Sequence, residues 1–102
     1  MQIFNNVDKQ LDYLTNFGAL SVLYSDALEP DFKAEGYCTV LHMFLTGTTY
    51  SLKITTDNNG EFVVTLHDPL ADYEELCMCA ELLRALQHAS LMCYASTWSK
   101  EI

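Results

Sequence analysis

The sequence predicts an α+β fold: a small antiparallel β-meander of three or four strands, flanked by an N-terminal helix and a long C-terminal helix packed mainly on one face. Three observations carry this. Apolar and polar side chains alternate through the middle of the chain, at residues 49–56 and 61–67. Apolar residues recur at helical spacing towards both ends. Half of the 102 residues are hydrophobic and only 4 Gly and 2 Pro interrupt them, which argues against disorder and for one domain over residues 1–102.

Residues 2–16 read as the first helix. Ile3, Val7, Leu11 and Leu14 share one face, Asp8, Lys9 and Asp12 lie opposite, and Gly18 is a stop signal. The next stretch fits two periods. Leu20, Val22 and Tyr24 alternate as in a strand, whereas Leu20, Leu23, Tyr24, Ala27 and Leu28 also fit a helix; a strand over residues 19–25 is the reading adopted. Pro30 then opens a polar loop over residues 29–36.

Residues 37–46, 49–56 and 61–67 are β-type runs. Gly47-Thr48 has the glycine-first pattern of a two-residue hairpin turn, and residues 57–60 contain the Asn-Gly pair that favours positive φ. Tyr50, Leu52 and Ile54 fall on one face, as do Phe62, Val64 and Leu66, giving a sheet with one packed side and one wetter side.

A long second helix is expected to follow. Asp68-Pro69 offers an N-cap with proline at the first helical position, and Asp72, Glu74 and Glu75 crowd the end where the helix dipole favours acids. No Gly or Pro interrupts the pattern from there to about Ser96. Such a helix carries two apolar stripes, one of Leu76, Cys79, Leu83, Leu86 and Cys93, the other of Met78, Leu82, Ala85, Ala89 and Met92. Their centres lie roughly 120° apart, wider than one sheet covers. The second stripe is therefore expected to meet the N-terminal helix, a partner or a second copy of the chain, so a homodimer is one expectation.

Metal and thiol chemistry look weak on this reading. Residues i and i+2 of a helix point about 200° apart, so Cys77 and Cys79 do not chelate together, and Cys77 lies about 16 Å from His88 along the axis. Cys38 and His42 share strand parity, yet zinc needs further ligands. No metal or other cofactor is expected. No phosphate-binding glycine loop, nucleophile elbow or zinc-protease motif occurs, and no enzyme is expected.

Charge is the remaining signal. Fourteen acids face five bases, for a net charge of −9. Asp26, Glu29, Asp31 and Glu35 crowd one segment, and residues 57–81 hold seven acids, Asp57 and Glu61 among them, with no Lys or Arg. That sign repels nucleic acid and acidic membranes and attracts a basic protein surface. No apolar run approaches the length of about 18 residues that spans a bilayer, and the cysteine pattern and N-terminus suggest a cytoplasmic chain with reduced thiols. The leading expectation is a small acidic protein-binding module, an inhibitor or immunity-type (anti-defence) protein of a phage or mobile element. It would occupy a basic, nucleic-acid-handling partner through Asp26, Glu29, Asp31, Glu35, Asp57 and Glu61. Two alternatives stand beside it: a homodimeric adaptor or secretion-chaperone-like protein using Met78, Leu82, Ala85, Ala89 and Met92, and a metal- or thiol-dependent regulator using Cys38, His42, Cys77 and Cys79.

Overall fold

Asn6 opens the first helix. Its backbone is extended and its side-chain oxygen accepts the Lys9 amide at 3.0 Å, an N-cap that starts α1 at Val7–Thr15. The computed structural model describes residues 1–33 and 36–100, with residues 98–100 through their backbone alone. Because the helix begins at residue 7, Ile3 is exposed, while Leu11 and Leu14 are buried as their spacing predicts. Gln10 on α1 holds the preceding segment: its side-chain oxygen accepts the Phe4 amide at 2.7 Å and its amide nitrogen donates to Ser90 Oγ at 2.9 Å. Gln87 adds a bond from its side-chain amide to the Phe4 carbonyl at 2.8 Å.

Five strands form one antiparallel meander in the order β1-β2-β3-β4-β5, one or two more than expected. They are β1 (Gly18–Leu23), β2 (Thr39–Leu45), β3 (Ser51–Thr56), β4 (Phe62–Asp68) and β5 (Tyr73–Cys79). The ambiguous stretch after α1 is thus a strand, followed by a short 3-10 turn at Ser25–Leu28. The alternation in β3 and β4 has its expected meaning, for Leu52, Ile54, Phe62, Val64 and Leu66 are buried against the helices. The β2–β3 connection is longer than the two-residue turn expected. Phe44 pairs with Ser51, the Leu45 amide donates to the Tyr50 carbonyl, and Gly47 takes φ +73° in the loop between them.

The principal correction concerns the long helix. Residues 73–79 are the edge strand β5, and helix α2 begins only at Leu82, running to Lys100. Asp68 does not cap a helix. It ends β4, buried, and its Oδ1 accepts the Leu70 amide at 3.1 Å and the Thr49 hydroxyl at 2.7 Å. An aspartate bonding the backbone two residues on makes a turn with the same chemistry that would make a cap. Asp72 completes that turn at φ +50°, a left-handed conformation which Asp tolerates better than most residues.

α1 and α2 lie side by side on one face of the sheet, α1 over β1 and α2 over β3, β4 and β5. Their apolar faces meet that face in a core of Leu14, Leu41, Met43, Leu52, Ile54, Val64, Leu66, Ala85, Leu86, Ala89 and Cys93. The other face of the sheet is uncovered by any described element, and Phe44, Leu76 and Met78 are exposed. Among the described residues, no helix is long and apolar enough to cross a membrane.

Candidate functional site

The second α2 stripe has no surface to offer a second copy. Leu82, Ala85, Ala89 and Met92 are all buried within their own chain, as are Leu86 and Cys93 of the first stripe. α1 and the sheet between them cover most of what α2 carries of both stripes, with Leu83 half-buried. Met78 is not on the helix at all; it stands on β5, 59% exposed. Four of the five proposed interface residues are core, and the fifth belongs to a different surface.

The acids are distributed by three connections that meet at one end of the molecule. The segment after β1 brings Asp26, Glu29 and Asp31, all exposed; Glu35 lies outside the described residues. The β3–β4 turn brings Asp57 and Glu61, and the β5–α2 turn adds Glu81. Val7, Ala27, Leu28, Pro30, Phe32, Phe62 and Leu82 line a cleft of about 270 Å3 there, with Glu29 and Glu81 in its wall. Phe32, Asn58, Asn59 and Ala80 line an adjoining hollow, so the three connections are neighbours in space. Asp57 has a different task from the others. It is buried, and its Oδ1 accepts the Asn59 and Glu61 amides at 2.8 and 2.9 Å, which holds the hairpin turn together. Asp26 sits beside the Tyr24 hydroxyl, and its negative charge pushes the tyrosine pKa above its ordinary value.

A second constellation follows from the strand that replaced half a helix. On β5, residues 73, 75, 77 and 79 lie directly opposite Asp68, Leu66, Val64 and Phe62, so they face the helices together. Cys77 and Cys79 therefore point the same way, their Sγ atoms 3.9 Å apart. The β5–α2 turn then folds the chain back, and His88 comes over the pair. One ligand atom from each of Cys77, Cys79 and His88 lies within 4.8 Å of the other two. The expected 16 Å separation along a continuous helix is overturned, together with the divergence of the two thiols. Cys38 and His42 stand outside this group; His42 packs on the Phe44 ring at 4.9 Å.

Burial is graded across the cluster: Cys79 is buried, Cys77 half-buried and His88 exposed. Desolvation, reinforced by the hydrogen bond to Cys77, pushes the Cys79 thiol up to about 11. That thiol is protonated near neutral pH and is a poor nucleophile. Cys77 and His88 line a cavity of about 650 Å3 with Tyr50, Tyr73, Glu75 and Leu91. Within it the Tyr73 hydroxyl donates to Glu75 Oε2 at 3.1 Å, which raises the tyrosine pKa.

Comparison with known proteins finds no family model, no curated protein and no solved structure that matches this chain. Any functional reading rests on the surfaces themselves.

Proposed function

We propose that the chain is an acidic protein-binding module of the inhibitor or immunity type, which occupies a basic, nucleic-acid-handling partner. The observation that supports this reading is the apolar cleft walled by Glu29 and Glu81, at the end where the connections carrying Asp26, Asp31 and Glu61 also meet. Acids outnumber bases fourteen to five in the whole chain, so its net charge favours a basic partner. A basic side chain entering such a cleft lays its aliphatic stem on Leu28, Pro30 and Phe32 and keeps its charged head against carboxylates. Carboxylates held in this way take the place of nucleic-acid phosphates on the partner. Asp57 orders the turn instead of contacting the partner. The four free thiols suit a reducing compartment and hence a cytoplasmic setting.

The test is capture of partners from the producing cell, or from its host or rival, by the intact chain at low and high salt. The expected result is a basic nucleic-acid-handling protein that is released by salt, is displaced by its own nucleic acid, and is not captured by Glu29→Lys/Glu81→Lys. Capture insensitive to salt and to both charge reversals would sink the reading.

A further inference from the structure

We infer that Cys77, Cys79 and His88 bind a single zinc ion, tying the edge strand β5 to α2. Two thiolates and an imidazole form a soft donor set that suits zinc and disfavours calcium and magnesium, which seek oxygen. The spacing suits it as well. Zn–S bonds of about 2.3 Å at a tetrahedral angle set the two sulfurs ~3.8 Å apart, and the Cys77 and Cys79 sulfurs stand 3.9 Å apart.

A disulfide fits the same pair poorly. In an extended strand, Cα atoms two residues apart are separated by ~6.6 Å, at the outer end of the range a disulfide spans, and the two side chains run parallel. His88 supplies the third ligand from a separate element, every pair of ligand atoms lying within 4.8 Å. The ion would add a bonded link between strand and helix, which already pack against each other. Its fourth position faces the cavity of about 650 Å3 that Cys77 and His88 share with Glu75, and is open to water or to an anionic ligand. None of these residues lines the acidic cleft, so the site stands or falls separately from the proposed partner binding.

The experiment uses the full chain, reduced and stripped of metal, titrated with zinc against a chromophoric chelator and in parallel with cobalt(II). One ion per chain is expected, with the visible absorption of tetrahedral cobalt and a sulfur-to-cobalt charge-transfer band. Cys77→Ser and His88→Ala change half-buried and exposed positions, so circular dichroism should show both folded. Each is expected to weaken zinc binding at least about 10-fold, the lower end of the loss seen when even an outer-shell partner is removed. Zinc should raise the melting temperature of the parent chain and leave that of either variant nearly unmoved, and Cys38→Ser should behave as the parent. The inference is overturned if the folded parent takes up no zinc, if cobalt binds without thiolate charge transfer, or if stoichiometric tight binding survives both Cys77→Ser and His88→Ala.

Discussion

Gln10 Nε2 donates to Ser90 Oγ at 2.9 Å, joining α1 to α2 through residues 80 positions apart in the chain. Both side chains are fully buried, and each is engaged a second time, Gln10 by the Phe4 amide and Ser90 by the Leu86 carbonyl. Gln10 is thus the hub through which α1, the N-terminal segment and α2 are held in one arrangement. Gln10→Ala leaves the Phe4 amide and the Ser90 hydroxyl without this partner, and should cost about 1–3 kcal/mol in urea unfolding. Ser90→Ala, which removes one partner of the pair and spares the Phe4 bond, should cost less. Equal losses for the two would show that the Phe4 bond contributes little.

Gly18 is the one glycine where side-chain volume is the constraint. A Cβ there would run into the Phe44 carbonyl oxygen across the β1–β2 pair, and backbone has little room to yield. Gly18→Ala should destabilise the chain by about 1–3 kcal/mol, as overpacking does, with the lowest hydrogen-exchange protection appearing in β1. Gly60→Asn, by contrast, sits in open space at φ +77° and should cost less than Gly18→Ala.

Asp57 and Glu29 test whether structure and the proposed recognition can be separated. Asp57→Ala removes an acceptor of two backbone amides and should lower stability by about 1–2 kcal/mol, comparable to the loss of a helix cap. Glu29→Gln, at an exposed position, should leave stability within about 0.5 kcal/mol. Partner capture should respond the other way, reduced by Glu29→Gln and retained by folded Asp57→Ala. Loss of capture in the aspartate variant alone would move the contact surface to the hairpin.

Ala89 and Met78 belonged to one expected stripe and now lie in opposite environments, one fully buried and one exposed on β5. Ala89→Glu places a carboxylate in the core and should unfold the chain, since an unpaired buried charge exceeds the usual stability margin. Met78→Glu should leave unfolding within about 0.5 kcal/mol of the parent. Circular dichroism and denaturant melts decide both. A folded Ala89→Glu chain would mean that α2 does not pack as described.

The meander was legible because β3 and β4 each bury one face, so alternation in Leu52–Ile54 and Phe62–Val64–Leu66 reports burial directly. β5 was not legible, for three physical reasons. Leu76 and Met78 are 60% and 59% exposed, so its polarity pattern does not track the packed face. Its Glu, Leu and Met residues have good helix propensity and none is β-branched. The break before α2 falls at Ala80-Glu81, where neither Gly nor Pro marks it. The thiol–histidine cluster was lost with the strand. Cys-x-Cys diverges on a helix and converges on a strand, so one error of period hid the pair and displaced His88. A useful signal was present in Asp68-Pro69 followed by Leu70, since an aspartate that caps a helix also makes a turn before an edge strand.

Cys93 predicts how stability depends on alkaline pH. Its side chain is buried on α2, away from the β5 cysteines in sequence, and burial pushes its thiol from an ordinary value of 9.0 up to about 12. In the unfolded chain the thiol ionises near its ordinary value, while the folded chain keeps its proton to much higher pH. Above pH 9 the unfolded state therefore binds fewer protons than the folded one, and stability falls as pH rises. Below pH 9 both states are protonated and this contribution is complete and constant. Cys93→Ala removes the titrating group and leaves a small cavity, so it should be less stable than the parent at pH 7. That difference should narrow as pH climbs from 9 towards 12, read from urea midpoints at each pH under reducing conditions. Cys79, raised to about 11, leaves some alkaline sensitivity in the variant. A stability difference that stays constant from pH 7 to 11 would show that the Cys93 thiol is not held protonated by the core.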